Sequence, residues 1–448
     1  MNRLTRIAFL SEHASPVALL GGVDAGGQNV YVDEVSRNLA RHGYAIDVFT
    51  RRNNPDDPEV IDWAPGVRVV NLTAGPPSQL LKDELWSYMP EFRDSFLRFM
   101  ERDEVRYDLI HGNFWMSGWV ATELRARLDI PAVQIFHAMG KTKRRHQKQV
   151  DTSPPDRIDV ELGIVRNVDR IIAQCPSEQS ELVDDYGADP HKVVVIPSAV
   201  NTKIFHPVSC AEARKQVGLD PDAKVIVYVG RVIPRKDIRN IVRALALLVR
   251  RYREGASSLV LVVVGGETVE PDPAATPEIG ELQRLAAALG ISTHVRFTGK
   301  RPTSMLSYYY SAADVVASTP WYEPFGLTPL EAMACGRPMI GSAVGGLTFT
   351  IQDGKTGFLV PPRCPEALAE RLDQLLSSPD LCRQMGRAAR RRVEREFTWD
   401  IVAMRTAALY ETIFAEEHIH EEDLLESLIG AMPLAPDNDT GGIDHGLG

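Results

Sequence analysis

The sequence predicts an α/β protein of two domains with parallel sheets, and three observations carry that expectation. Short apolar runs rich in Val, Ile and Phe alternate with longer amphipathic stretches, the pattern of strands covered by helices on both faces. The chain has 448 residues, too long for one ordinary domain and ample for two, each with a substantial core. The alternation breaks once, near residue 200, and then restarts.

In the first half, strands are expected at residues 6–10, 45–49, 67–70, 109–110, 132–136, 170–173 and 193–196, with helices at 30–41, 93–101, 119–127, 157–168 and 178–185. Residues 197–224, PSAVNTKIFHPVSCAEARKQVGLDPDAK, interrupt the pattern and read as a linker. Beyond it, strands are expected at 225–229, 259–264, 295–297, 315–317, 339–340 and 358–360. The matching helices are 238–250, 278–289, 330–334, 366–376, 381–396 and, after Thr398 as a cap, 401–417. The boundaries drawn are 1–205 and 206–398, with a small, polar, non-periodic tail at 432–448 that reads as disordered.

Composition narrows the function. A formal charge of −10, with both signs spread along the chain, disfavours a nucleic-acid partner. Five cysteines without C-x-x-C spacing indicate neither a disulfide framework nor a zinc knuckle, and suit a reducing compartment. The N-terminal MNRLTRIAFLSEH has too short an apolar run for a signal peptide or a membrane span, so a cytoplasmic enzyme is expected.

The densest chemistry lies in WYEPFGLTPLEAMACGRPMIGSAVGGLTFTIQDGKTGFLVPP, residues 321–362. Glu323 falls in a Pro/Gly loop and Glu331, eight positions on, in a helix that starts near Thr328 or Pro329, where proline is tolerated. Free amides at such a helix start attract phosphate, which places a diphosphate near Phe325, Gly326, Leu327 and Thr328. Two carboxylates beside a phosphate must face hydroxyl donors instead. Glu331 is read as the acceptor of ribose hydroxyl bonds and Glu323 as the contact to a transferred sugar; the alternative is a pair that only complements the helix dipole.

E-P-F-G-L-T-P-L-E-A-M-A-C-G-R-P resembles the Glu-x7-Glu signature of retaining glycosyltransferases of family four, and the resemblance runs to about residue 417. It implies the GT-B fold, two facing Rossmann-like domains, with the terminal helix 399–417 crossing back to the first. It also implies a nucleotide-diphosphate sugar as co-substrate, a UDP-sugar being favoured, with no metal and no other cofactor. Gly345-Gly346 alone marks only a tight turn. Residues 299–302 are where the family contacts the base, and nothing in them identifies it.

The strand VIVYV leads into Gly230, Arg231 and PRKD, so Arg231 and Lys236 emerge at the carboxyl end of a buried strand, where open α/β sheets bind ligands. Fixed cations there stabilise a departing diphosphate. The family holds its diphosphate with matching residues. In the first half, Gly26 and Gly27 precede a helix and let backbone approach a ligand. This loop looks like that of sucrose-phosphate synthases and D-inositol 3-phosphate glycosyltransferases, where it lies against donor phosphate and acceptor.

His137 follows the buried run AVQIF and is expected at the interdomain crevice, as a core histidine or a functional one. F-H with Gly140, Lys141 and Lys143 is similar to the H-S-L-G-R-x-K form of sucrose-phosphate synthases, in which the histidine faces the transferred sugar. The basic cluster of Lys141, Lys143, Arg144, Arg145 and Lys148 reads equally as an anion site or a solvated helix face. The resemblance further implies that Lys82 and Arg157 meet an acceptor phosphate. Phe114 and Ala138 depart from the inositol-phosphate enzymes, which carry tyrosine and threonine there. The expected reaction is therefore hexosyl transfer, with retention, to a small phosphorylated acceptor. A nucleotide-sugar epimerase and a non-catalytic sugar-nucleotide-binding regulator are the alternatives. Asp220-x-Asp222 and Asp437-x-Asp439 mimic a metal motif by chance.

Overall fold

The computed structural model describes residues 5–17, 26–147, 151–252 and 258–430. Lys148, the Asp437-x-Asp439 pair and the tail 432–448 lie outside the described residues. Residues up to Thr406 form one compact unit that contains both sheets, and the chain from Ala407 forms another.

The first half contains, in order, β1 (Arg6–Leu10), α1 (Gly27–Arg41), β2 (Ala45–Arg51), β3 (Val60–Ala64), β4 (Val67–Leu72), α2 (Met89–Arg102) and β5 (Leu109–Asn113). It continues through α3 (Trp115–Leu128), β6 (Ala132–Ile135), α4 (Gly140–Gln147), α5 (Arg157–Asn167), β7 (Arg170–Ala173), α6 (Pro176–Asp184) and β8 (Val193–Val195). The strands form an eight-stranded sheet in the order β3-β4-β2-β1-β5-β6-β7-β8. Only β3, at the edge, runs antiparallel to its neighbour.

The second half contains α7 (Cys210–Val217), β9 (Lys224–Val229), α8 (Ile238–Tyr252), β10 (Leu259–Val264), α9 (Pro277–Ala288), β11 (Val295–Gly299), α10 (Thr303–Ala312) and β12 (Val315–Ser318). It then runs through α11 (Leu327–Ala334), β13 (Met339–Ser342), α12 (Leu347–Thr350), β14 (Gly357–Val360), α13 (Pro365–Leu376), α14 (Pro379–Glu396) and α15 (Trp399–Gly430). Its sheet has six parallel strands in the order β11-β10-β9-β12-β13-β14. Along β9, Val225, Val227 and Val229 enter one core while Ile226 and Tyr228 enter the other, so successive side chains fill opposite faces. The apolar stripe of α8, Ile238, Ile241, Val242, Leu245 and Leu248, closes the second face.

Strand order places the site. In the first sheet the chain moves outward from β1 to β2 and β4, then returns to lay β5 on the other side of β1. In the second it moves from β9 to β10 and β11, then returns with β12 beside β9. At each reversal the connections leave the strand ends in opposite directions and open a crevice at the carboxyl edge. Glu12 and Phe114 follow the two strands of the first crevice; Arg231, Lys236 and Glu323 follow those of the second.

Several elements differ from expectation. The stretch read as a linker contains α7, capped by Ser209, whose Oγ accepts from the Glu212 amide at 3.3 Å. Lys141, Lys143, Arg144 and Arg145 of the basic cluster stand on the helix α4, which is one of the two readings made of that cluster. β3 and α10 were not expected, and the final helix begins at Trp399 and runs to Gly430 rather than 401–417. Trp399 lies edge-on to Tyr31 of α1 at 6.0 Å, and Asp400 pairs with His42 Nε2 at 3.2 Å.

Candidate active site

The two crevices face each other across a cavity of about 1300 Å³. Of the residues singled out in the sequence, Gly26, Gly27, Lys82, His137, Arg231, Lys236, Glu323, Phe325, Gly326, Leu327 and Thr328 line it. Glu331, Lys141, Lys143 and Arg157 do not.

Two helix starts meet in this cavity. α1 opens at Gly26–Gly27, with the Gly26 amide donating to Asn29 Oδ1 at 3.0 Å, and α11 opens after Gly326, whose φ of 89° suits glycine. A Cβ placed on Gly27 would stand 3.2 Å from Leu327 Cδ1, so the two helix N-termini come together from opposite lobes. Both present amides that have no intrahelical carbonyl to bond. Their convergence suits one anionic group held between the lobes.

The cations stand beside these amides. Lys236 ends a short 3-10 turn, Pro234–Lys236, and its Nζ bonds Glu323 Oε2. Crowding by the cleft wall lowers its pKa, with Glu323 opposing that trend. The Arg231 guanidinium, also depressed by loss of water around it, has no hydrogen-bonded partner among the described residues. Arg235, not singled out in the sequence, lines the cavity too, and its Nη1 donates to the Tyr322 carbonyl at 3.4 Å. The loops after β9 and β12 are thus tied together.

The paired glycines shape that second loop. Gly346 donates its amide to the Glu323 carbonyl at 3.0 Å, and a Cβ on Gly345, φ 46°, would stand 2.1 Å from the same oxygen. What read as a bare turn is the close backbone packing that seats Glu323. Glu331 lies within α11, and its Oε2 accepts from the Tyr310 hydroxyl at 2.5 Å. Burial pushes its pKa up to about 6, against the opposing Tyr310 bond.

On the opposite wall His137 takes a left-handed conformation, φ 59°, which a histidine adopts only when its surroundings hold it there. Its Nε2 lies 3.2 Å from Asn113 Oδ1 and its ring meets Tyr31 edge-on at 4.9 Å. Burial, with nearby His111, His13 and Lys82, lowers its pKa to about 3, so the ring is neutral. Lys82 Nζ stands 3.8 Å over the Phe114 ring. Enclosure in the cleft, then the Arg157 charge, lowers its pKa to about 8.

The other three basic residues lie elsewhere than expected. Lys141 turns away to the Asp185 carbonyl and over the Tyr186 ring at 4.8 Å. Lys143 pairs with Asp151 at 2.9 Å and Ser153 Oγ at 2.8 Å. Arg157, 2% exposed, spends its donors on Glu161 at 2.8 Å, Ser153 at 3.1 Å and the Ala138 carbonyl at 2.7 Å, and lies 5.2 Å behind the Phe114 ring. Lys141 is drawn to a partner far along the chain, whereas Arg157 is held largely by Glu161 and Ser153, four positions to either side of it. Glu12, His13, Tyr31, Arg51 and Asn113 line or support the same wall and were not anticipated. Their shared signal is position at or just past the carboxyl ends of β1, β2 and β5, or in the first turns of α1.

Residues 25–204 match the model of Glycosyltransferase Family 4, and residues 210–392 match that of Glycosyl transferases group 1. A D-inositol 3-phosphate glycosyltransferase of Kribbella flavida is 39% identical over 413 residues, covering 91% of this chain and 96% of the relative. The chain belongs to the group 1 glycosyltransferases. A second glycosyltransferase of the same name, from Kineococcus radiotolerans, is 39% identical over 416 residues, covering 90% and 94% of the two chains. The sucrose-phosphate synthase structure of Thermosynechococcus elongatus superposes with a TM-score of 0.80 at 36% identity, covering 92% of this chain and 100% of the other. That likeness gives the GT-B fold for this glycosyltransferase, two Rossmann-like domains facing across a cleft.

Proposed function

We propose that this glycosyltransferase moves a hexosyl group from a nucleotide-diphosphate sugar, with UDP favoured as the nucleotide, to a small phosphorylated acceptor, with retention of anomeric configuration. One observation carries the reading: Arg231, Lys236 and the α11 amides stand together on one side of the cavity, while Lys82 presents a separate cation on the other. Two anionic groups on two partners match two cationic poles. The likeness to a D-inositol 3-phosphate glycosyltransferase and to a sucrose-phosphate synthase supports a phosphorylated acceptor.

In this mechanism the diphosphate lies across the starts of α1 and α11, against Arg231 and Lys236. Glu323 contacts the transferred sugar, Glu331 takes ribose hydroxyls, and neutral His137 faces the hexose without adding charge. The acceptor attacks from the face that the leaving group vacates, and the departing phosphate oxygen takes its proton. Arg231, Lys236 and the amides of residues 326–328 stabilise the charge that develops on the diphosphate. Closure of the lobes excludes water. The charge stabilisation comes from the protein, so the mechanism asks for no metal.

Nucleotide release from a panel of UDP-, GDP- and ADP-sugars, with and without sugar and cyclitol phosphates, tests the proposal. Release that depends on a phosphorylated acceptor, with the product anomer matching the donor by NMR, is the expected result. Sugar interconversion without any acceptor would point to an epimerase, and binding without turnover to a regulator; either overturns it.

A further inference from the structure

His146 and Tyr322 stand outside the large cavity, yet their rings lie face to face between the lobes, with centroids 4.6 Å apart and planes 12° from parallel. His146 belongs to α4 of the first lobe, and Tyr322 to the loop after β12 in the second. Aromatic rings at that separation attract one another in an offset stack. Partial burial, then the Arg145 and Arg363 charges, lowers the His146 pKa, so near neutral pH it packs as an uncharged ring.

A second contact crosses the same seam. The Cys175 thiol, buried just past the end of β7, donates to the Pro324 carbonyl at 3.4 Å. Tyr322 and Pro324 are the two chain neighbours of Glu323, so the first lobe grips the chain on both sides of that carboxylate. On the facing arm, α4 starts three residues after His137 and carries that segment out to His146 as one helix. Its start is fixed by the Gly140 amide, which donates to both Glu161 carboxylate oxygens at 3.1 and 3.0 Å. Between the arms lies a cavity of only about 10 Å³, lined by Ala138, Met139, Glu178, Tyr322, Pro324 and Gly345. Ala138 follows His137 and Gly345 packs against the Glu323 carbonyl, so the seam shuts directly beside both residues.

Resting on the reading of Glu323 and His137 as the residues that face the transferred sugar, we propose that His146 and Tyr322 are positioning residues: their stack clasps the lobes and sets the width of the sugar slot between Glu323 and His137. The bonds from Arg235 to the Tyr322 carbonyl and from Gly346 to the Glu323 carbonyl lie within the donor lobe and do not span that slot. Arg231, Lys236 and the α11 amides also belong to the donor lobe, so the diphosphate site does not depend on the clasp. Opening the clasp leaves the nucleotide held and the sugar loose.

The test uses the full-length enzyme with His146→Ala, His146→Phe and Tyr322→Leu, and the double variant His146→Ala/Tyr322→Leu. For each, kcat of acceptor-dependent nucleotide release is measured beside the inhibition constant of UDP, or of whichever of UDP, GDP and ADP the wild type binds. His146→Ala is expected to lower kcat about ten- to a hundredfold, the scale on which small misplacements of reacting groups act, and to leave the inhibition constant unchanged. His146→Phe keeps an uncharged ring on Tyr322 and should restore wild-type kcat. The double variant should fall no lower than the worse single one. Unchanged kcat in His146→Ala, a kcat in His146→Phe as low as in His146→Ala, or an inhibition constant that rises in step with the loss of kcat overturns the inference, as do losses that multiply in the double variant. A Tyr322→Leu chain that fails to fold loses nucleoside diphosphate binding as well, and the exposed His146 pair of variants then decides alone. A wild type that transfers from no sugar nucleotide sinks the underlying reading too; transfer that is indifferent to His146 sinks only this proposal.

Discussion

Lys236 and Glu323 form a hydrogen-bonded ion pair across the gap between the loops that follow β9 and β12, with only 15% and 13% of their side chains exposed. The pair joins the residue assigned to the diphosphate with the one assigned to the sugar, so their positions along the donor are set together. Removing one preorganised donor from such a site costs about a hundredfold to a thousandfold in kcat. Lys236→Ala is expected to lose that much in steady-state nucleotide release, and Glu323→Gln to lower kcat with a smaller change in donor KM.

Lys82 stands over Phe114 with no carboxylate bonded to it among the described residues, so its charge is available to a ligand. A charge-assisted hydrogen bond contributes about 1.5 to 3 kcal/mol, so Lys82→Ala should raise acceptor KM roughly 10- to 150-fold and leave donor KM in place. Because its pKa is lowered to about 8, the ammonium is charged below that pH and loses its proton above it. Acceptor KM in the wild type should therefore climb as pH rises past 8, and that slope should vanish in Lys82→Ala.

His137 makes stability sensitive to acid. Its folded pKa, lowered to about 3, lies below the ordinary value of 6.5, so the unfolded chain binds the proton more readily. Stability is then fully present above about pH 6.5 and falls as pH drops toward 3. Glu331 works in the opposite sense: its folded pKa of about 6 exceeds the ordinary value of 4.5, so its contribution is present below 4.5 and lost as pH rises through 6. Urea midpoints measured from pH 4 to 7 should flatten on the acid side in His137→Asn and gain at pH 7 relative to pH 5 in Glu331→Gln.

If protein cations alone meet the leaving diphosphate, EDTA treatment should leave kcat unchanged within error. A rate that collapses and returns with added Mg²⁺ or Mn²⁺ would assign that charge to an ion instead.

Strands such as LVLVVV and the Glu323 to Glu331 spacing were legible because buried parallel strands and helix starts leave local signatures. The helix α4, GKTKRRHQ, has no apolar stripe to announce it, and α7 is flanked by Pro and Asp. α10, TSMLSYYYSA, has no charged face. The side chains misplaced from sequence are those with distant partners. Lys141 is claimed by Asp185, 44 residues along the chain, and Arg157, besides its i+4 pair with Glu161, reaches back 19 residues to Ala138. Strand order, by contrast, was the missing key to Glu12 and Asn113, since only the sheet reveals that β1 and β5 are neighbours at a reversal.

A Cβ built on Gly27 would stand 3.2 Å from the Leu327 methyl, so the lobes come together where one of them has only bare backbone. Any larger residue at that point would work as a doorstop. The lobes would stop short, solvent would leak to the activated donor, and the enzyme would drift from transferase toward hydrolase. How faithfully a sugar is delivered rather than wasted thus depends on the smallest residue in the cleft.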